Sequence, residues 1–259
     1  MSGHSKWSTI KRQKGATDIK RGQAFTKVAN AITIAVKLGG SGDPTSNPRL
    51  RAVLEEVKAV NMPKDNVQRA IDRGLGKTGQ ALEEVVFEGF GPHQVAFLVE
   101  GVTDNRLRTL QEIKSLFERS GGSLAGGGSV SYMFERKGEI KVKTGAAYAE
   151  QKEKGKSEEE ETLELIDSGV EDIESFEEDG IRKYLVYVEG SQLSTMSIKL
   201  TQAGYGVEQA TVVLKPNTLV EIKDKESAQK VMDFAQKLEE HDDIQKVYAN
   251  FDIPEDLIQ

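Results

Sequence analysis

Cysteine is absent from the 259 residues, which excludes disulfides, thiolate metal centres and thiol nucleophiles and fits a reducing compartment. Long apolar runs are absent as well. No window approaches the roughly 18 apolar residues of a membrane span, and the first residues hold no apolar stretch of signal-peptide length. A soluble, cytoplasmic protein with no membrane partner is expected. Histidine is scarce, with His4, His93 and His241 the three present, and none stands four residues from another as a zinc-binding helix requires. No Gly-x-Ser-x-Gly elbow occurs to raise a nucleophilic serine. The paired acids Glu239-Glu240 and Asp242-Asp243 read as a helix end and the turn after it, since acid–base work would need a pocket that raises one of their pKa values. The chain is read as a non-enzyme, with no catalytic residue, no metal and no cofactor.

What is present is charge, unevenly placed. The net charge is -7, yet residues 1–79 hold 15 Lys+Arg against 6 Asp+Glu, while residues 80–259 hold 20 against 36. Such asymmetry predicts a basic module that meets polyanions and an acidic remainder that is repelled by them. The stretch from Gly3 to Lys27 carries Lys6, Lys11, Arg12, Lys14, Lys20, Arg21 and Lys27 against Asp18 alone, together with the single tryptophan, Trp7. These cations repel one another and few apolar residues can bury them, so a flexible arm that orders on a polyanion is expected. Lysine and arginine neutralise phosphates and release counterions, Trp7 can stack on an exposed base, and Arg12 and Arg21 can fork onto phosphate oxygens. Arg49, Arg51, Arg69 and Arg73 extend a secondary basic surface over the bundle, with a solvated helix face as the equal alternative.

Along the chain, Phe25, Val28, Ala29, Ile32, Ala35 and Val36 recur at helical steps, with Gly39-Gly40 as the stop. Asn47 is placed to cap a second helix that opens with Pro48 and buries Leu50, Val53, Leu54, Val57 and Val60. A third helix follows Pro63, with Val67, Ala70 and Ile71 inward and Arg69 and Arg73 outward, completing a small bundle. GLGKTG (74–79) lacks the preceding strand of a dinucleotide fingerprint, and Ile71 stands where a phosphate loop needs its first glycine, so it reads as a helix stop and linker. Strands VVFEGF (85–90) and QVAFLVE (94–100) suggest a hairpin. A helix capped by Asp104 or Asn105 carries Leu107, Leu110, Ile113 and Phe117. GGSLAGGGS (121–129) is expected as a mobile loop before a strand at 129–135. From Glu139 the order strand, helix, strand, strand, helix, strand suggests a ferredoxin-like unit, its second helix capped by Ser191 and its first preceded by a charged tract, 149–161. A short strand LVEI, a helix capped at Asp224 and a strand QKVYANF (245–251) close the chain.

The blocks MSGHSKWSTIKRQKGATDIKRGQAFTK, NPRLRAVLEEVKAVNMPKDNVQRAIDRG (47–74), EGFGP (88–92), VTDNRLRT (102–109), GGSLAGGGSVSYMFERKG (121–138) and DDIQKVYANFD (242–252) together resemble the YebC family of gene-expression proteins over essentially the whole chain. The resemblance implies an α+β multidomain fold, a helical bundle followed by two α+β domains with the ferredoxin-like third inserted into the second. The boundaries expected are 1–79 for arm and bundle, 80–134 with 215–259 for domain two, and 135–214 for domain three. Members are described as DNA-binding transcriptional regulators, a mitochondrial relative as a translational activator, and bacterial members as ribosome-linked. Carried onto this chain, the resemblance implies nucleic-acid binding by His4, Lys6, Trp7, Lys11, Arg12, Lys14, Lys20, Arg21 and Lys27.

No recognition helix with base-reading side chains and no dimer seam stands out, so sequence-specific duplex readout lacks visible machinery and a monomer is expected. A flexible basic arm suits folded RNA, which favours ribosomal RNA as partner with DNA as the alternative. A protein-interaction scaffold using the acidic domains is the remaining class.

Overall fold

The structure is a computed structural model that describes residues 18–79, 81–144, 156–178, 180–254 and 257, with side chains from residue 22 onward. It is a mixed α+β multidomain architecture with antiparallel sheets. Its described residues form two units, 18–131 with 222–249 and 257, and 132–221 with 250–254.

The first unit opens with three helices, α1 (Asp18–Gly39), α2 (Pro48–Val60) and α3 (Lys64–Gly74). Val28, Ile32, Ala35 and Val36 of α1 meet Leu50 of α2, Met62 of the turn and Ala70 of α3 in one apolar cluster. Asn47 fixes the α1–α2 turn. Its Oδ1 accepts from the Leu50 amide at 3.1 Å, and its buried Nδ2 donates to the carbonyls of Ala35 and Ser41 at 2.9 and 2.8 Å. Such a cap stabilises a helix start by about 1 kcal/mol. At Gly74 a Cβ would lie 2.6 Å from the Thr33 carbonyl oxygen and 2.7 Å from Val36 Cβ, so the glycine permits α3 to close on α1.

The second element of this unit is a sheet of β1 (Glu83–Phe90), β2 (Ala96–Thr103), β3 (Ser123–Ala125) and, from near the chain's end, the strand Ile244–Ala249, ordered β3-β1-β2 and then that strand. β1 and β2 form the expected hairpin, with Phe90 opposite Ala96. Helices α4 (Arg106–Arg119, capped by Asn105) and Lys225–Glu239 (capped by Asp224) cover one face. There Phe97, Phe117 and Phe234 pack edge to face with centroids 4.9 to 6.3 Å apart, geometry favoured by the ring quadrupole. α1 also meets this part of the unit, where Ile34, Leu82 and Val102 form a second apolar cluster and Lys37 Nζ donates to the Leu82 carbonyl at 2.6 Å.

The second unit holds β4 (Phe134–Lys143), α5 (Glu158–Asp167), β5 (Asp172–Glu178), β6 (Ile181–Glu189), α6 (Leu193–Gln202) and β7 (Gly206–Pro216). All strand pairs are antiparallel, in the order β5-β6-β4-β7. Ile140, Val142, Tyr184, Val186 and Val188 of the sheet meet Leu165 of α5 and Met196 and Leu200 of α6 in the core, placing both helices on one face. Strand β8 (Val220–Glu221) pairs in parallel with β10 (Phe251–Asp252), which follows β9, the Ile244–Ala249 strand; the helix Lys225–Glu239 is α7.

Several expectations are corrected. Of the strand expected at 129–135, Ser131–Met133 form a 3-10 turn and only residues 134–135 are extended, where they open β4, the strand expected from Glu139. Gly138 within β4 is a packing glycine whose Cβ would lie 3.0 Å from Val188 Cγ2 and 3.1 Å from Leu193 Cδ1. QKVYANF divides at Asn250, whose carbonyl accepts from the Val220 amide at 2.7 Å and whose Nδ2 donates to Thr218. Ser191 does not cap α6; it sits in a 3-10 turn, Gly190–Gln192, and Gln192 occupies the cap position with no side-chain bond. α5 does begin with a capping box, Ser157 with Glu160.

Candidate nucleic-acid interface

Of the predicted arm residues, His4, Lys6, Trp7, Lys11, Arg12 and Lys14 lie outside the described residues. Lys20 and Arg21 fall on the first turns of α1, so the portion of the arm from Asp18 to Lys27 is helical rather than extended. Phe25 and Val28 supply the reason, because they pack into the bundle and pull the chain before them into register. Lys27 is half-buried and donates to the carbonyl of Glu239, while Gln23 Nε2 donates to the carbonyl of Glu240 at 3.0 Å. A cation against the carbonyl end of α7 is favourably placed in that helix's field. Lys27 thus ties the arm's root to α7.

The secondary surface is likewise divided. Arg51 ties down the α1–α2 loop, its Nε and Nη2 donating to the carbonyls of Pro44 and Thr45 at 3.1 and 2.9 Å. Arg69 donates to the Asp65 carbonyl and to Asn66 Oδ1 at 3.3 and 2.8 Å. Arg73 is half-buried beside Gly79, not outward. Arg49, on the exposed first turn of α2, is the member of the four whose guanidinium takes no partner among the described residues.

Two polar constellations escaped the sequence reading. In the first, the Glu88 carboxylate on β1 accepts the backbone amides of Gly128, Val130 and Ser131 at 2.7, 2.7 and 2.9 Å. The glycine run expected to move freely is therefore pinned. Its amides do hold an anion, as clustered amides can, but the anion is internal. Burial pushes the Glu88 carboxyl up, and the three amide bonds more than offset this, leaving it below the ordinary value. No local signal marked Glu88 for this role, because it shares strand parity with the exposed Val86 while the buried face of β1 is that of Val85 and Phe87.

In the second, Asp243 Oδ2 accepts from Arg108 Nη2 at 2.8 Å and from Thr109 Oγ1 at 2.6 Å, and Thr109 and Thr103 hydroxyls lie 2.8 Å apart. Burial raises the Asp243 carboxyl, but these bonds outweigh it and the group sits below its usual value. His241 Nε2 lies 3.0 Å from Glu112 Oε2, and the Asp243 amide donates to His241 Nδ1 at 3.2 Å. Glu112, His241 and Asp243 lie close enough together to suggest a cation site, but the tautomer argues otherwise. Because Nδ1 accepts a backbone N–H, the neutral ring carries its proton on Nε2, the atom a metal would need. Arg108, 2.8 Å from Asp243, already supplies the positive charge.

Residues 5–77 match the family described as the TACO1/YebC protein N-terminal domain, and residues 82–251 match that described as the TACO1/YebC second and third domain. A probable transcriptional regulatory protein of Chlorobaculum tepidum is 44% identical over 259 residues, covering 100% of this chain and 98% of its own. One of Persephonella marina is 43% identical over 261 residues, covering 100% and 99%. Among solved structures, a conserved hypothetical protein of Aquifex aeolicus is similar at a TM-score of 0.76 and 40% identity, with 93% of each chain covered.

Proposed function

Because the chain belongs to the TACO1/YebC family, we propose that it is a non-enzymatic regulator of gene expression that binds nucleic acid through its basic N-terminal arm, as a ribosome-associated translation factor. The observation that carries this reading is the concentration of seven cations and the only tryptophan in residues 3–27 of an otherwise acidic chain. Ribosomal RNA is the favoured partner because a flexible basic arm suits folded RNA, and because Arg51 and Arg69 bond their own neighbourhood, so no row of base-reading side chains stands out among the described residues of the bundle. The names of the relatives favour a second reading, a DNA-binding transcriptional regulator. The strand order of β4 to β7 supports a ferredoxin-like third domain spanning 135–214, inserted in a second domain formed by 80–134 and 215–259, after a bundle ending near residue 79.

The test is cosedimentation of the full chain, and of a form lacking residues 1–17, with ribosomes in the presence of duplex DNA as competitor. The cut before Asp18 leaves α1 whole. Arm-dependent pelleting that excess duplex DNA does not displace is the expected result. Loss of the protein to DNA at modest salt transfers the assignment to the transcriptional reading, and pelleting that ignores the arm overturns both.

A further inference from the structure

The outward face of α5 is unusual for a surface helix. Leu163 and Ile166 are 61% and 52% exposed, and Ile198 on neighbouring α6 is 59% exposed. Single exposed apolar residues are ordinary, but apolar side chains gathered on one side of a small unit call for a cover. Lys199, next to Ile198, donates to the Ser168 carbonyl at 2.5 Å at the end of α5, so the two helices are tied where these side chains emerge.

Charge says what the cover is. α5 carries Glu158, Glu159, Glu160, Glu161, Glu164 and Asp167 and no base. Four of these acids have internal duties. Glu158 meets Ser175 and Arg182, Glu160 closes the capping box, Glu161 is buried against Tyr184 and Arg182, and Glu164 meets Lys156 and Tyr205. Glu159 and Asp167 are exposed and take no side-chain partner among the described residues. Helical spacing puts Glu159, Leu163 and Ile166 on one stripe, with Asp167 at its rim. A nucleic acid or an anionic membrane is repelled by this face, and a second copy of it would set acid against acid.

We propose that the α5–α6 face docks a lysine- or arginine-rich amphipathic helical segment of another protein, its apolar stripe on Leu163, Ile166 and Ile198 and its cations on Glu159 and Asp167. This site is separate from the arm and stands whichever nucleic acid the arm holds.

The probe is a fluorescein-labelled peptide of about five helical turns, with leucine at helical spacing flanked by lysines, compared by anisotropy with a scrambled peptide of identical composition. The full chain should bind the patterned peptide roughly tenfold or more tightly than the scrambled one. Leu163→Ser with Ile166→Ser should abolish that preference and leave only weak, salt-sensitive binding of both peptides. Glu159→Lys with Asp167→Lys should weaken the patterned peptide by a similar factor. All four positions are solvent-exposed, and an unchanged circular dichroism spectrum confirms that the variants fold. Equal affinity for the two peptides, or a preference that survives both double variants, overturns the proposal.

Discussion

Replacing Glu88 by glutamine tests whether the glycine run at 126–128 is held or free. In the wild type one carboxylate receives three amides at 2.7 to 2.9 Å, and Glu88 itself is only 7% exposed. Hydrogen bonds to a charged acceptor contribute about 1.5–3 kcal/mol each, they do not add in full, and the cost of burying the carboxylate offsets part of the gain. The glutamine oxygen can serve some of these amides, but its NH2 group must face a donor. A net local loss of about 2–4 kcal/mol follows, which is a factor of roughly 30 to 900 in the opening equilibrium. Hydrogen exchange at Gly128, Val130 and Ser131 should accelerate by that factor in Glu88→Gln, while exchange in β4 to β7 stays unchanged. The pH dependence has a fixed sign. The folded carboxyl lies below its ordinary 4.5, so the stabilisation is complete above that value and is lost as pH falls through the folded value. The difference between wild type and variant should therefore shrink in acid. Unchanged protection of the three amides, or a difference that grows in acid, refutes the latch.

Glu178 obeys the same sign. Burial raises its carboxyl, and Lys141 and Lys183 more than offset this and bring it to about 2; acid unfolding of the second unit should lose this contribution between about 4.5 and about 2, a loss missing from Glu178→Gln. Gly138→Ala should cost about 1–3 kcal/mol by overpacking, read as a lower urea midpoint with unchanged slope, because Val188 and Leu193 stand 3.0 and 3.1 Å from the added carbon. Lys11→Glu with Arg12→Glu should weaken ribosome binding and flatten its salt dependence, each lost phosphate contact lowering the slope by roughly 0.7 to 0.9. Trp7→Ala should cost about 1–3 kcal/mol of affinity through lost base stacking, and a normal affinity would assign the ring to packing on protein.

Local signals carried much of this fold. Asn47, Asn105 and Asp224 each cap the helix their position predicts, because a cap depends on a few neighbouring residues. The hairpin of β1 and β2 and the strand β6 were equally readable. Errors fall where a distant residue decides. The stretch 129–133 looks like strand until the amides of Val130 and Ser131 are seen to bond Glu88, more than forty residues earlier. The run at 126–128 looks mobile until Glu88 is brought beneath it by β1. Lys27 looks like a free cation until α7, more than two hundred residues later, offers it a carbonyl. Charge pattern shows that cations are gathered near the start, but which of them remain available is a tertiary property.

That property also bears on where a nucleic acid can sit. A four-stranded sheet with helices on one face could in principle stack bases on aromatic side chains of its central strands, and the second unit has such a sheet. On the face opposite its core, however, Lys141 and Lys183 are buried and share Glu178 and Glu208. Lys137 pairs with Glu135 and Glu171, and Lys215 with Asp172 and Glu174. Tyr187, the aromatic of central strand β6 on this face, is only 3% exposed and lies under Lys215, whose Nζ is 3.6 Å from the ring centroid. A polyanion approaching here would have to break ion pairs whose acids would then repel it, and the rings of Tyr187 and Phe176 lie under Lys215 and Lys141. The lysines of this face thus organise the sheet internally.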